Sequence, residues 1–175
     1  MYYIADNNVI KLYNADKEIF IDGLTAMPQY ADLPIQQTDR NIILLNGAFV
    51  FEDEHLEEIL EQAKITKKAE NTEKAKLAVE NGHVVFKGAE FETNAQTVGD
   101  LTATMLLMQA GDVESYLWLS KDDQAVELSL EDFGTLGGLI AEFKNTIWQE
   151  KYIAYKAQIE SATSAQEVEN IEIEY

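Results

Sequence analysis

Residues 116–143 read YLWLSKDDQAVELSLEDFGTLGGLIAEF, and this stretch decides the fold class. Its first half predicts a β-hairpin, because two apolar runs flank the polar residues 121–124. Its second half predicts a long helix that begins after Ser129 and runs from Leu130 to about Glu160. The apolar positions of that helix recur at helical spacing: Phe133, Leu136, Ile140, Phe143 and Ile147. A hairpin that leads directly into a long C-terminal helix is typical of an α+β protein.

The apolar stripe of this helix drifts past its midpoint to Trp148, Tyr152, Tyr155 and Ile159. The drift indicates that the helix turns a new face inward there, or that it meets a second partner. Tyr and Trp are enriched at the energetically important positions of protein interfaces. We therefore predict that Trp148, Tyr152 and Tyr155 bind a partner, and their packing in the protein's own core remains the alternative.

Residues 1–51 predict a β-rich N-terminal module. Two hairpins are expected in it, one turning at Asp6-Asn7-Asn8 and one at Asn46-Gly47, because these residues favour the left-handed turns that join twisted strands. The short apolar run 19–21 is included in this β-rich module, and residues 24–40 are expected to form a long loop.

Residues 52–81 change in composition and predict a charged, mostly solvated helical connector with an acidic start. Gly82 is expected to end this helix in the left-handed conformation. Residues 82–175 then predict an α+β C-terminal domain with a further hairpin around Lys87-Gly88 and a helix capped by Asn94. Ser164 and Glu167 predict a capping box for a short last helix. The whole chain is thus expected to form two small modules, built of small antiparallel hairpins and helices, joined by the connector.

The net charge of −19 is the largest compositional signal, and it comes from 13 basic and 32 acidic residues. Such a charge repels phosphate backbones and anionic membrane surfaces, so we expect neither nucleic-acid nor membrane binding through a basic face. The absence of cysteine excludes disulfides and Cys-ligated metals. No apolar run reaches the roughly 20 residues of a membrane span. The first residues lack the features of a signal peptide, so a cytoplasmic location is expected.

The residues that could carry chemistry do not form a recognisable catalytic pattern. His55 and His83 are isolated, and the sequence holds no metalloprotease, P-loop or nucleophile-elbow motif. The glycine-rich stretch 134–138 lies within a helical pattern and predicts close helix packing. The acidic cluster Asp122-Asp123 with Glu127 predicts a solvated hairpin tip rather than a calcium loop. We therefore expect no enzyme activity, no cofactor and no metal site.

The C-terminal half resembles a domain of unknown function found in tail and tail-fibre-associated proteins of tailed bacteriophages. Three marks carry this resemblance, over roughly residues 83–175. They are Trp118 followed by the charged turn 121–123, the stretch Val126-Glu127-Leu128-Ser129 before the long helix, and the ending Ile159-Glu160-Ser161-Ala162-Thr163-Ser164-Ala165-Gln166-Glu167-Val168. The N-terminal part is similar in general style to tail-fibre assembly proteins, which often begin with short strands and an apolar hairpin.

The resemblance implies a non-enzymatic protein that binds a phage tail fibre or another tail protein, as an assembly chaperone or as a virion subunit. It implies an oligomer or a complex with another protein, located in the host cytoplasm during assembly or in the virion tail. Two other functions stay open on the residues alone. The acidity would suit a DNA mimic that inhibits a host nucleic-acid-binding protein, and the aromatic residues would suit a carbohydrate-binding accessory protein.

Overall fold

The computed structural model describes residues 1–111 and 113–175. The chain forms two compact units, the first comprising Met1–Lys64 with Thr163–Val168 and the second Ile65–Ala162 with Glu169–Tyr175. It is 53% helical and 22% strand, and the strands of the described residues pair only in antiparallel fashion. The predicted α+β class, with small antiparallel sheets and a long C-terminal helix, is confirmed. The boundary between the units at residues 64 and 65 falls inside the predicted connector 52–81, and the independent folding of the modules stays a prediction.

The first unit is built on a five-stranded antiparallel sheet in the order β3-β1-β2-β5-β4. Its strands are β1 (Tyr2–Asp6), β2 (Val9–Asn14), β3 (Gln36–Gln37), β4 (Ile42–Leu45) and β5 (Ala48–Phe51). Both predicted hairpins form. Asn7 and Asn8 take φ angles of 49° and 65°, and Asn46 and Gly47 take 49° and 83°, as a two-residue turn between twisted strands requires.

Helix α1 (Lys17–Thr25) lies between β2 and the predicted loop, so the β-rich module contains a helix that was not predicted from the apolar run 19–21. The Asp16 carboxylate caps the helix by accepting hydrogen bonds from the backbone N–H groups of Glu18 at 2.8 Å and Ile19 at 3.1 Å. The helix then buries Phe20 completely, 6.2 Å from the ring of Tyr2. A strand would point only alternate residues of this run inward, whereas the cap commits it to helical spacing. The predicted loop 24–40 holds one 3₁₀ turn, Pro28–Tyr30, and the short edge strand β3.

Helix α2 (Leu56–Glu80) follows a 3₁₀ turn at Glu52–Glu54, so these three acidic residues lie just before the helix, and its own first turn carries Glu57 and Glu58. Residues 72–80 are mostly exposed or half-buried, in line with the predicted solvation, but one face of the helix is buried. Asn71 and Ala75 are completely buried, and Asn71 is contacted by the π-helical segment and the last residues of the chain.

The second unit continues with two hairpins and the remaining helices. Its elements are β6 (His83–Phe86), β7 (Ala89–Glu92), α3 (Ala95–Gln109), β8 (Ser115–Leu119), β9 (Ala125–Ser129), α4 (Leu130–Asn145), a π-helical segment (Thr146–Tyr152), α5 (Ile153–Ser161) and α6 (Ala165–Glu169), of which α6 belongs mainly to the first unit. The two hairpins form as predicted, and Asn94 caps α3 by accepting the Thr97 backbone N–H at 2.8 Å. Ser129 and Asp132 form a complete capping box at the start of α4. The Ser164 hydroxyl accepts the Glu167 backbone N–H at the start of α6, as predicted.

The core of the second unit lies where the inner faces of both hairpins meet α3 and α4. Its buried residues are Ala89, Phe91, Leu101, Met108, Leu128, Phe133, Leu136 and Ile140. Trp118 packs against this core, with its ring edge-on to Phe133 at 5.2 Å. Of the glycine-rich stretch 134–138, only Gly137 lies close to another helix, where an added Cβ would stand 3.5 Å from Leu101.

Gly82 does not take the left-handed conformation predicted for it, since it is not among the residues of positive φ. A Cβ at this position would stand 2.5 Å from the ring of Phe143 and 2.6 Å from the carbonyl oxygen of Ala78. Glycine is therefore required here by the close approach of α4 to the end of α2.

The long C-terminal helix contains the π-helical segment between α4 and α5. A π-helical turn holds more residues than an α-helical one, so the positions that follow it are displaced around the axis. This displacement explains the drift of the apolar stripe after Ile147. The π-helical segment therefore keeps the displaced stripe on the side of the helix that packs against the protein's own residues.

Candidate partner-binding surface

The three predicted partner-binding residues lie on or just after the π-helical segment, and each is half-buried. Trp148 and Tyr152 pack edge-to-face, with ring centroids 5.3 Å apart and planes at 64°. Tyr155 follows one turn later, on α5. The structure therefore brings Trp148 and Tyr152 into contact, and it places Tyr155 in a different set of contacts.

Tyr152 is bound to helix α2. The buried side-chain amide of Asn71 donates a hydrogen bond to the Tyr152 carbonyl oxygen at 3.2 Å. The Tyr152 hydroxyl lies 3.4 Å from the Thr72 hydroxyl. The Asn71 amide thus ties the end of the π-helical segment to α2.

Tyr155 is bound to the last residues of the chain. Its hydroxyl donates to the Glu174 carbonyl oxygen and accepts the Glu174 backbone N–H, both at 3.1 Å. Its ring packs 5.8 Å from that of Tyr175, whose hydroxyl donates to the Asn71 side-chain oxygen. Burial raises the pKa of Tyr175 to about 12, so this donor keeps its proton at neutral pH.

These contacts form one network, which we call the tail clamp and define as Asn71, Tyr152, Tyr155 and Tyr175. Lys74 adds a hydrogen bond from its ammonium group to the Ile173 carbonyl oxygen at 3.1 Å. Tyr152 and Tyr155 thus have partners within the second unit, as the alternative of packing in the protein's own core requires, and their binding to another protein stays a prediction. Long sequence separation hid these contacts, because the partners come from α2 and from the end of the chain.

Trp148 differs from the two tyrosines because it also lines an open groove. The groove has a volume of about 370 Å³, and its lining residues are Lys76, Leu77, Val79, Glu80 and Trp148. Leu77 is 49% exposed although it lies beside the indole. The groove therefore exposes the apolar side chains of Leu77 and Trp148 to solvent between the charged residues Lys76 and Glu80. Such a groove can accommodate an apolar side chain of another protein. Trp148 is the predicted site residue best placed to meet a partner, and Leu77 is one that the sequence analysis missed.

Other exposed apolar residues were also missed. Leu117 and Leu119 on β8 are 65% and 62% exposed, and Leu106 on α3 is 63% exposed. Residues 116–119 were predicted only as one strand of a hairpin. The signal that identifies the exposed residues among them is the alternation around Trp118, which places its two neighbours on the opposite face.

The two histidines lie apart, and each stands next to one acidic side chain. His55 lies 3.1 Å from Glu58, and His83 lies 3.6 Å from Glu90. Among the described residues no group of three or more His, Asp or Glu side chains is arranged to hold a metal ion. At the hairpin tip the Asp122 carboxylate accepts a hydrogen bond from the Ser120 hydroxyl at 2.5 Å, which lowers the Asp122 pKa. This carboxylate is thus engaged in shaping the turn.

The first unit holds a separate pocket of about 270 Å³ on its sheet. Tyr3 and Phe51, whose rings meet edge-on at 5.4 Å, form part of its wall. Asn8, Gln36 and His55 bring polar groups to it. Aromatic walls with a few polar groups at the rim are common in small-ligand sites.

The comparison with protein families decides which family these features belong to. A domain of unknown function, DUF4376, matches residues 62–174, well over half of the chain. The chain belongs to this family. The DUF4376 match includes the second half of α2, both hairpins of the second unit, the Trp148 groove and nearly all of the tail clamp. No curated protein and no solved structure matches the chain. No helix in the described part of the chain is long and apolar enough to cross a membrane.

Proposed function

We propose that this DUF4376 protein is a non-enzymatic bacteriophage tail protein that binds a tail fibre or another tail protein. It acts as an assembly chaperone in the host cytoplasm or remains as a subunit of the virion tail. The resemblance of residues 83–175 to tail-associated proteins supports the phage assignment. The Trp148 groove supports binding to another protein.

The groove carries this proposal because its apolar residues are not used up by the protein's own core. Leu77 leaves about half of its side chain in water, next to an indole that is only half-buried. Interface residues that cost about 2 kcal/mol or more on truncation are enriched in Trp and gather where water can be excluded. A partner side chain that fills the groove would cover both residues at once.

The test is co-purification of the protein with the fibre and tail proteins encoded beside it, followed by calorimetry on the pair that binds. Leu77→Gln should weaken that binding at least about tenfold, since about 1.4 kcal/mol of interface energy corresponds to this factor. Leu106→Gln is the matched control, because it alters an exposed leucine of the same unit that does not line the groove. If no tail protein binds, the proposal is wrong. If both variants bind like the wild type, the groove is not the interface.

A second measurement separates the two forms of the proposal. Mass spectrometry of purified virions detects a retained tail subunit in stoichiometric amount, and it finds no chaperone. A chaperone instead raises the yield of trimeric fibre when the two genes are expressed together.

One observation favours carbohydrate binding as a second candidate function, namely the pocket of the first unit. Its aromatic wall and amide-bearing rim suit a sugar ring with its hydroxyl groups. A glycan array followed by titration of Tyr3→Ala and Gln36→Ala would test it, with Leu44→Ala as a control on another exposed position of the same sheet. Absence of binding to any glycan would remove this candidate.

A further inference from the structure

The β8–β9 hairpin has an inner face that joins the core and an outer face that is largely apolar and exposed. Trp118 points inward against Phe133, so its neighbours Leu117 and Leu119 point outward. The strand register sets Leu117 opposite Glu127 and Leu119 opposite Ala125, and all four side chains are exposed. Two leucines that each leave more than 60% of their surface in water contribute little to this unit's own stability.

The main chain of the same two leucines is also free. At the turn, Ser120 donates its N–H to the Gln124 carbonyl oxygen at 2.9 Å and accepts the Asp123 N–H at 3.0 Å. Hydrogen-bonded and non-hydrogen-bonded pairs alternate along an antiparallel ladder, so the next bonded pair is Trp118 with Val126. The N–H and C=O groups of Leu117 and Leu119 therefore point away from β9. Within the described residues β8 pairs with no strand other than β9, so these groups lie on an edge that is open along Leu117 and Leu119. Just beyond Leu119 the Lys121 N–H donates to the Glu90 carbonyl oxygen of β7 at 2.8 Å, which marks the end of the open part.

The charge around this edge is negative at both ends. Residues 113–129 contain four acidic residues, Glu114, Asp122, Asp123 and Glu127, and a single basic one, Lys121. Lys121 already stands 4.0 Å from Glu90. Glu114 comes just before β8, and the two aspartates form the turn just after it. A segment lying along β8 would therefore meet apolar side chains at its centre and carboxylates near its ends.

We propose that the open edge of β8 is a docking site for an extended segment of a partner protein that has an apolar centre flanked by Lys or Arg. The segment adds as a third strand next to β8, with hydrogen bonds to the main chain of Leu117 and Leu119. Its apolar side chains cover the two leucines, and its basic ends pair with the carboxylates. A second copy of this chain is a poorer occupant, because it brings the same acidic ends to a molecule of charge −19. This inference rests on the proposed function and names the chemistry of the partner.

The test uses a peptide of the sequence Lys-Lys-Val-Thr-Val-Thr-Val-Lys-Lys, blocked at both ends, and amide NMR spectra of the full chain. We expect the peptide to shift the amide signals of Ser115, Leu117 and Leu119 and to slow the hydrogen exchange of the two leucines. A peptide with Glu in place of Lys, and one with Ser in place of Val, should each bind at least about tenfold more weakly. N-methylation of the valines should abolish binding, since it removes main-chain donors from the added strand.

Leu117→Gln/Leu119→Gln should weaken peptide binding at least about tenfold and leave the melting temperature nearly unchanged. Leu106→Gln/Leu107→Gln is the matched control, because it removes two exposed leucines from α3, and it should bind the peptide like the wild type. Equal binding by the two double variants would overturn the inference, as would amide shifts confined to other elements. So would a dimer in sedimentation that disappears in Leu117→Gln/Leu119→Gln, because the occupant would then be a second copy.

Failure of this inference is distinguishable from failure of the proposed function. If a tail protein binds and Leu117→Gln/Leu119→Gln leaves that binding unchanged, the proposed function stands and the β8 site is wrong. If the peptide binds at β8 and no tail protein binds, the edge site stands and the proposed function is wrong.

Discussion

Gly82 is the position where the structure leaves no space for even a methyl group. The ring of Phe143 and the Ala78 carbonyl oxygen occupy the volume that a Cβ would need. Phe143 is one of the helical-stripe residues recognisable from the sequence, but its meeting with Gly82 joins two elements that are distant in the chain.

Replacement of Gly82 by alanine should destabilise the protein by about 1–3 kcal/mol, because either Phe143 or the end of α2 must move. Gly99→Ala provides the matched control, since Gly99 lies within α3 with no other atom within 4 Å of an added Cβ. This second change should stabilise the protein by about 0.4–1 kcal/mol, through the greater helix propensity of alanine and its smaller unfolded-state entropy. Urea denaturation measures both, and a destabilisation of the same size in the two variants would contradict the role given to Phe143.

Tyr175 and Tyr155 provide a second comparison between single residues. Tyr175→Phe removes the donor to the Asn71 side-chain oxygen, and Asn71 is completely buried. An unsatisfied buried acceptor costs about 1–3 kcal/mol, so we expect a loss of that size in the free energy of unfolding. Tyr155→Phe removes hydrogen bonds to the more exposed backbone of Glu174 and should cost less than about 1 kcal/mol. Equal losses in urea denaturation would show that water replaces the Tyr175 hydroxyl at Asn71.

Individual turn and cap residues were predictable because their preference is local. Asn46-Gly47, Asn94 and Ser129 act on a backbone within three residues of themselves, and the structure confirms each of them. Residues whose role depends on a distant partner were not predictable. Tyr152 and Tyr155 resemble interface residues in the sequence because their partners in α2 and the tail are far away along the chain.

At the scale of elements, the start of α4 has a distinct electrostatic character. The Asp132 carboxylate accepts a hydrogen bond from the Lys87 ammonium group at 2.6 Å, and further ones from the Ser129 backbone N–H at 2.9 Å and the Ser129 hydroxyl at 2.8 Å. These bonds, with that from Lys87 the strongest cause, lower the Asp132 pKa from its ordinary 3.8 to about 2. The capping box of α4 is thereby linked to the turn of the β6–β7 hairpin.

The lowered pKa gives the capping box a definite pH dependence. Its contribution is complete above about pH 4, where the carboxylate is ionised in both the folded and the unfolded chain, and it is lost as the pH falls towards 2. Asp132→Asn should lower the melting temperature at pH 6 and reduce its decline between pH 4 and pH 2. Glu131→Gln, at the preceding and exposed position, is the control. The assignment would be wrong if the melting temperature of Asp132→Asn declined as steeply as that of the wild type.

Helix α1 and the π-helical segment show which elements sequence patterns miss. Three consecutive apolar residues at 19–21 fit a short strand as well as one helical turn, and only the cap at Asp16 separates the two. The drift of the stripe past Ile147 was visible in the sequence. Its cause was not, because an inserted residue and a change of packing partner produce the same drift.

At the scale of the whole molecule, the prediction concerns where the second unit begins. The C-terminal domain was predicted to start at residue 82, whereas the second compact unit starts at Ile65. Asn71 and Ala75 are buried in that unit, so a fragment of residues 65–175 should unfold cooperatively. A fragment of residues 82–175 lacks both and should melt at a lower temperature, by about 4–8 °C for each kcal/mol lost. Equal melting temperatures would restore the boundary at residue 82.

The apolar pattern of the chain predicted its fold class more firmly than the boundaries of its two units. Alternating short apolar runs and long amphipathic stretches led to an α+β protein, because periodicity is a property of each segment by itself. The charged residues of α2 suggested a connector, since a helix that buries only a narrow stripe resembles a solvated one. The Trp148 groove was only partly predictable, because Leu77 belongs to that same charged helix.

The π-helical segment also has a genetic consequence. A π-helical turn holds about one residue more than an α-helical turn, so the loss of one codon within Thr146–Tyr152 would return the segment to α-helical winding and leave the residues after it on nearly the same side of the axis. Tyr155 would then still face Glu174 and Tyr175. The loss of one codon within α4 would instead rotate the residues after it by about 100° and turn Tyr155 away from them. The length of this helix in residues is therefore constrained in α4 and tolerant of one deletion within the π-helical segment, a difference that substitutions alone would not reveal.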